Sequence, residues 1–124
     1  MCLYVKKGKF ELKIAQEDIV VYKILAKRTC FIISPYQGFV YEIGKKYKTR
    51  IEPQFHGTYY SIGKGFHSFL REEDVWSEKM RIQDFNSTYG CFRCVIPKGS
   101  HIVYGTYGSK DSVVSEAIKV VEEV

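Results

Sequence analysis

Apolar and polar residues alternate, or fall in short apolar blocks, along most of this chain, and glycine-containing turns separate the blocks at short spacing. A period of two is the pattern of strands that bury one face. Cys2–Lys6 and Lys9–Lys13 read as a hairpin around Lys7-Gly8, followed by a polar connection at Ala15–Asp18. Ile19–Leu25 is the strongest buried-strand segment; Ala26–Arg28 then turns into a strand over Cys30–Ser34, which Pro35 ends because proline cannot donate to a ladder. Gly38–Ile43 and Tyr47–Ile51 read as a strand pair around Gly44-Lys45-Lys46, and Pro53–Gly57 as a loop. Tyr59–Ile62 leads through the turn Gly63-Lys64-Gly65 into Phe66–Leu70.

Arg71–Gln83 is the most helical window. Glu72, Glu73 and Asp74 open it and Lys79 and Arg81 close it, which suits the helix macrodipole. Val75, Trp76, Met80 and Gln83 are placed to share one face. Asn86–Gly90 reads as a turn, and Cys91–Ile96 and His101–Tyr104 as a hairpin across Pro97-Lys98-Gly99-Ser100. In Val113–Val124 the apolar spacing fits a helix and the β-branched density fits a strand; the reading favours a strand. The expected fold is α+β: a β-rich single domain over residues 1–124, with a curved antiparallel sheet and one short helix near residues 71–83. A chain of 124 residues is long enough for one core and too short for two.

Charge divides the chain. Residues 1–64 hold 12 Lys/Arg against 5 Asp/Glu, whereas residues 65–124 hold 7 against 9. A basic half points to an anionic partner, such as a phosphate compound, nucleic acid or an acidic protein, and fits a solubilising surface equally well; the partner expected is an anionic, nucleotide-like small molecule. No run of four Lys/Arg occurs, so duplex nucleic acid is not the expected partner. No stretch approaches the roughly 20 apolar residues of a membrane helix, and the N-terminal charges follow the first apolar residues, the wrong order for a secretory signal. A cytoplasmic protein with free thiols at Cys2, Cys30, Cys91 and Cys94 is expected. Cys91-x-x-Cys94 lacks a second ligand pair, and on a strand its sulfurs point to opposite faces. No metal and no cofactor is expected.

Two loops carry the candidate chemistry. In Tyr59–Phe69, glycines at 63 and 65 let backbone N–H groups turn toward an anion; Lys64 adds a charge, Ser61, His67 and Ser68 add polar groups, and Tyr60 is placed to stack a base. A plain turn with Phe66 and Phe69 in the core accounts for the same residues. In Pro97–His101, Lys98, Ser100 and His101 repeat the theme with Tyr104 nearby. Neither is a Walker loop or a dinucleotide fingerprint. No nucleophile elbow or His-Glu-x-x-His helix occurs, so catalysis has little support. The reading is a non-catalytic protein that binds a phosphorylated small molecule. A protein-binding inhibitor that uses the aromatics around the acidic helix is a further alternative. A C-terminal strand that extends a neighbour's sheet would make a homo-oligomer.

Three segments, Asp18-Ile19-Val20-Val21-Tyr22-Lys23-Ile24, Gly65-Phe66-His67-Ser68-Phe69 and Ile96-Pro97-Lys98-Gly99-Ser100 with Tyr104-Gly105, resemble small accessory proteins of tailed phages and prophages of gut bacteria. That resemblance implies a phage-type accessory protein in the bacterial host cytoplasm and attaches no activity to it; sequestration of a nucleotide-derived signal against host defence is expected by analogy with small phage proteins that bind such signals. The same order is faintly similar to an ADP-ribosyltransferase core. The similarity sets Tyr22-Lys23 on the first strand, Ser61 or Ser68 on the second and Glu116 at the catalytic glutamate; it implies an NAD-using enzyme. Lys23 stands where that family has Arg or His, no Ser-Thr-Ser occurs, and no acidic residue stands two positions before Glu116.

Overall fold

The computed structural model describes residues 2–35, 37–82 and 88–124. They form one 13-stranded, curled, open antiparallel sheet and one helix. In chain order the strands are β1 (Leu3–Lys6), β2 (Lys13–Ile14), β3 (Ile19–Lys27), β4 (Ile32–Ile33), β5 (Val40–Tyr41), β6 (Lys46–Lys48), β7 (Glu52–Phe55), β8 (Tyr59–Lys64) and β9 (Phe66–Phe69). Helix α1 (Glu72–Arg81) follows, then β10 (Thr88–Ile96), β11 (His101–Tyr107), β12 (Lys110–Ser115) and β13 (Ala117–Glu123). The main path runs β6-β13-β10-β3-β9-β12-β11-β1-β8-β7, so a β-rich α+β domain with one short helix is what the chain forms.

Strands β3 and β10 make the spine, paired along nine residues each from Ile19↔Ile96 to Lys27↔Thr88. Val21, Leu25, Phe92, Cys94, Val113 and Ile118 meet in the main core on one side of this spine. Ile24, Phe69, Val75 and Cys91 form a smaller core beneath α1. Both faces of β3 are therefore covered from Lys23 to Ala26, and the strand continues where a turn at Ala26–Arg28 was expected. A third cluster, Leu3, Val5, Ile62, Val103 and Val114, seats β1 and β8 on β11 and β12.

Local elements are mostly where the pattern put them, but several pairings differ. Residues 2–6 make no hairpin with 9–13: β1 pairs β8 and β11, because its buried side chains Leu3 and Val5 face Ile62 and Tyr60, and only Lys13–Ile14 is strand, on β11. Likewise β5 pairs β4 and β6 pairs β13, instead of each other. Pro53–Phe55 is not loop but edge strand β7, where a proline is tolerated beside a register shift. Segment Thr88–Gly90 opens β10 rather than forming a turn; Asn86, like the helix-face residue Gln83, lies outside the described residues. β10 and β11 form no hairpin, since β10 pairs β3 and β13 while β11 pairs β12. The C-terminal segment is strand, as favoured; Ala117–Lys119 of β13 pairs β6 and Lys119–Glu123 pairs β10, so the edge that β6 takes is not open to a neighbour. On α1, Val75 and Glu78 are buried, whereas Trp76 and Met80 face solvent.

Gly105 is the tightest passage. A Cβ there would stand 2.5 Å from the Tyr4 carbonyl oxygen and under 3 Å from two Leu3 side-chain atoms. Backbone cannot yield as a flexible side chain can. Gly105→Ala is expected to lower stability by about 1–3 kcal/mol, as overpacked sites do, measured as a lower midpoint in urea unfolding at unchanged slope.

Candidate functional site

The loop Gly63–Phe66 is a corner and not a hairpin: β8 leaves it toward β1 and β7, β9 toward β12 and β3. Gly65 sits at φ +131°, and a Cβ there would strike Val114 Cγ1 at 2.3 Å. The glycine thus serves the close packing of the corner. His67 fastens it from inside. Its Nε2 lies 2.7 Å from the Ile62 carbonyl, and its Nδ1 lies 3.1 Å from the Gly65 carbonyl and 3.3 Å from Gln37 Nε2. A neutral ring can donate to only one of the two carbonyls. Burial above all, with the Lys23 cation adding to it, lowers the His67 pKa to about 4, against the opposing pull of the Ile62 hydrogen bond. Ser68 is buried, with no hydrogen-bond partner for its hydroxyl among the described residues.

A groove of about 280 Å³ runs outside this corner, lined by Gln37, Phe39, Thr49, Lys64 and Phe66. Gln37 donates across it to the Gly63 carbonyl at 2.9 Å, and Lys64 is paired with Glu52 at 3.4 Å. Such an exposed pair is worth under about 1 kcal/mol, so the lysine is retained only weakly.

The second loop does not form the expected anion nest. The Lys98 N–H donates to Asp18 Oδ1, that of Gly99 to the Ala15 carbonyl, that of Ser100 to the Pro97 carbonyl and that of His101 to Glu116 Oε1. Four successive amides are thereby engaged, two of them by carboxylates of the chain itself. The Ser100 hydroxyl bonds the Pro97 carbonyl. Glu116 also lies 2.9 Å from His101 Nδ1. Burial pushes the Glu116 carboxyl up, but the His101 amide and ring outweigh it and hold it below the usual range. The side chain of Lys98 is exposed.

Lys23 is a buried ammonium that the strand pattern hides. Its Nζ donates to the His67 carbonyl and stands 5.6 Å from the Tyr41 ring centre, beside a cavity of about 20 Å³ lined by Ser34, Gln37 and His67. Burial lowers its pKa to about 8, with Cys94 partly opposing.

The open aromatic surface is elsewhere, on the outer face of β11, β1 and β8. Tyr60 is not part of it; its ring packs inward between Phe10 and Phe55. Its neighbour Tyr59 faces out and stacks on Tyr4 at 4.9 Å and on His56 at 4.7 Å. His56 Nε2 is 2.7 Å from Ser61 Oγ, which orients the ring. On the other side of Tyr4, the register Tyr4↔Thr106 sets Tyr104 diagonally across; the Cα atoms of such neighbours are roughly 7–8 Å apart. A slot of about 180 Å³ lies there, lined by Tyr4, Lys6, Lys9, Tyr104, Gly105 and Thr106 among others. Tyr4 and Tyr104 are 42% and 38% exposed. Lys13 Nζ stands 5.7 Å from the Tyr104 ring centre and 3.7 Å from Glu11.

Of the expected site residues, the structure brings Ser61 and Tyr104 onto this outer face. Lys64, His67 and Ser68 belong to the β8–β9 corner, and Lys98, Ser100, His101 and Glu116 to the β10–β11 connection. Tyr4, Lys6 and Lys9 line the slot and were missed by sequence reasoning; the signal for Tyr4 and Lys6 was the outward half of the alternation in Leu3–Lys6. Among the described residues no group of three or more His, Cys, Asp or Glu is placed to hold a metal ion, and no helix is long and apolar enough to cross a membrane. No protein-family model, curated protein or solved structure matches the chain.

The buried His67 gives a pH prediction. The unfolded ring takes up a proton near pH 6.5, the folded ring only near 4. As pH falls through that window the unfolded state binds more protons, so stability is lost. The expected loss is about 3 kcal/mol at most, seen as a falling urea midpoint between pH 6.5 and 4 that His67→Gln flattens.

Proposed function

We propose that this protein is a non-catalytic binder of a phosphorylated, nucleotide-like ligand, and that it holds the base in the slot between Tyr4 and Tyr104. The observation that carries the reading is the pair of exposed rings flanking a slot of about 180 Å³ whose lining includes Lys6 and Lys9. A base packs against an exposed ring face at roughly 3.5–4.0 Å, and the slot offers it Tyr4 and Tyr104. The slot is smaller than the roughly 300–1,000 Å³ of pockets that enclose a drug-sized ligand. It suits one ring system, with the sugar and phosphate outside, where the ammonium groups of Lys6 and Lys9 meet the phosphate. Stacking contributes about 1–3 kcal/mol per base and each charge-assisted contact about 1.5–3 kcal/mol. Against the cost of association, a Kd of about 10–100 μM follows.

Binding is favoured over the transferase-like alternative because the slot is lined by rings and lysines, whereas Glu116, the residue of that alternative, is tied to His101 at the start of β11. Calorimetric titration with AMP, UMP and cyclic dinucleotides tests the reading. Binding in that range is expected, weakened about tenfold in Tyr104→Ala and little changed in Tyr104→Phe. Equal affinity of the wild type and Tyr104→Ala, or no heat with any of the nucleotides, would contradict it.

A further inference from the structure

A period of two places Lys23 on the face of β3 that carries Val21 and Leu25 into the main core. An ammonium thus stands where the pattern calls for an apolar side chain, and it is only 5% exposed. A buried charge is normally paired with an opposite one. Among the described residues no carboxylate pairs with Lys23. The titratable groups that face it are His67 from β9, Cys94 from β10 and Tyr41 from β5. All three are neutral near pH 7, because burial lowers the His67 pKa to about 4, pushes the Cys94 thiol up to about 12 and raises the Tyr41 phenol further still. Of the three ammonium donors, one goes to the His67 carbonyl, and the other two have no acceptor among the described residues.

The cavity beside Lys23 is the size of one small partner. Its volume is about 20 Å³, and a water molecule needs about 10–15 Å³ of such space. Ser34, Pro35 and Gln37 line it together with His67. Pro35 is half-buried and Gln37 exposed, which gives the cavity a path to solvent. The Ser34 hydroxyl accepts from the Gln37 amide at 3.4 Å and keeps its own proton to donate.

We propose that this cavity is a halide site, in which one chloride ion sits against the Lys23 ammonium and takes a second hydrogen bond from the Ser34 hydroxyl. Size excludes phosphate and larger anions. Charge selects a monovalent ion, since one negative charge cancels that of Lys23 and a second would itself be left unpaired in the core. The site is separate from the slot on β1 and β11, so the failure of either reading leaves the other untouched.

The test compares thermal unfolding at pH 7 in sodium gluconate and in sodium chloride at equal ionic strength; gluconate is too large for the cavity. With a Kd of about 10 mM, exchange into about 0.1 M chloride is expected to raise Tm by about 5 °C, and bromide to do the same. Lys23→Met abolishes the gain and Ser34→Ala reduces it. The ³⁵Cl line width reads the ion directly and needs no variant. The protein broadens the line at pH 7, and the excess width is lost by about pH 9.5, where Lys23, whose pKa burial lowers to about 8 against the opposing Cys94, has shed its proton, while exposed lysines, which titrate near about 10.4, keep theirs. Equal Tm in chloride and gluconate, with no excess line width at pH 7, would overturn the proposal. A gain that survives Lys23→Met, or broadening that persists at pH 9.5, would place the ion on surface lysines and overturn it as well.

Discussion

The backbone of β1 lies directly on Gly105 of β11, and the outer face of the molecule is organised by that contact. It permits the register Tyr4↔Thr106, which sets Tyr4 diagonal to Tyr104 on one side and stacked against Tyr59 on the other. The same approach drives Leu3 and Val5 down against Ile62 and Val103. Burying these side chains is worth roughly 1.5–3 kcal/mol each. The slot is thus held by the core beneath it and needs no order of its own.

The two glycine-lysine loops and the open sheet face are alike in composition and opposite in availability. In the loops the polar groups already have partners inside the chain: Gln37 bridges Gly63, while Asp18 and Glu116 take amides of Lys98 and His101. At the Lys98–His101 loop an external anion would have to displace a carboxylate that is covalently part of the fold. At the slot, Tyr4, Tyr104, Lys6 and Lys9 are exposed, so a ligand gains stacking and charge contacts there. This difference decides which part of a basic, tyrosine-rich chain is poised for a ligand.

Much of the architecture was legible from alternation and turn chemistry. The β-rich class, the short helix and the buried stretch at Ile19–Leu25 follow from local pattern, which is what periodicity records. Pairing was not legible, because neighbours in this sheet are distant in sequence: β1 joins β8, β6 joins β13, and β10 joins β3. The reading of Pro53 as loop failed for a related reason, since a proline is excluded only from interior strands and β7 is an edge. For the site, Tyr104 and Ser61 were visible as polar aromatic-rich surroundings of turns. Tyr60 was placed on the wrong face by one residue, and in a strand a one-residue error inverts every side chain. Lys23 was hidden by its strand, since a lysine between Tyr22 and Ile24 reads as the solvent half of an alternation; only the closure of the main core shows it buried.

The most direct measurement of the central claim is a two-dimensional amide NMR titration of the ¹⁵N-labelled protein with AMP. Shifts centred on Tyr4, Lys6, Lys9, Tyr104 and Thr106 are predicted, with Gly63–Phe66 and Lys98–His101 unmoved. Shifts centred on those two loops, with the outer face silent, would contradict it.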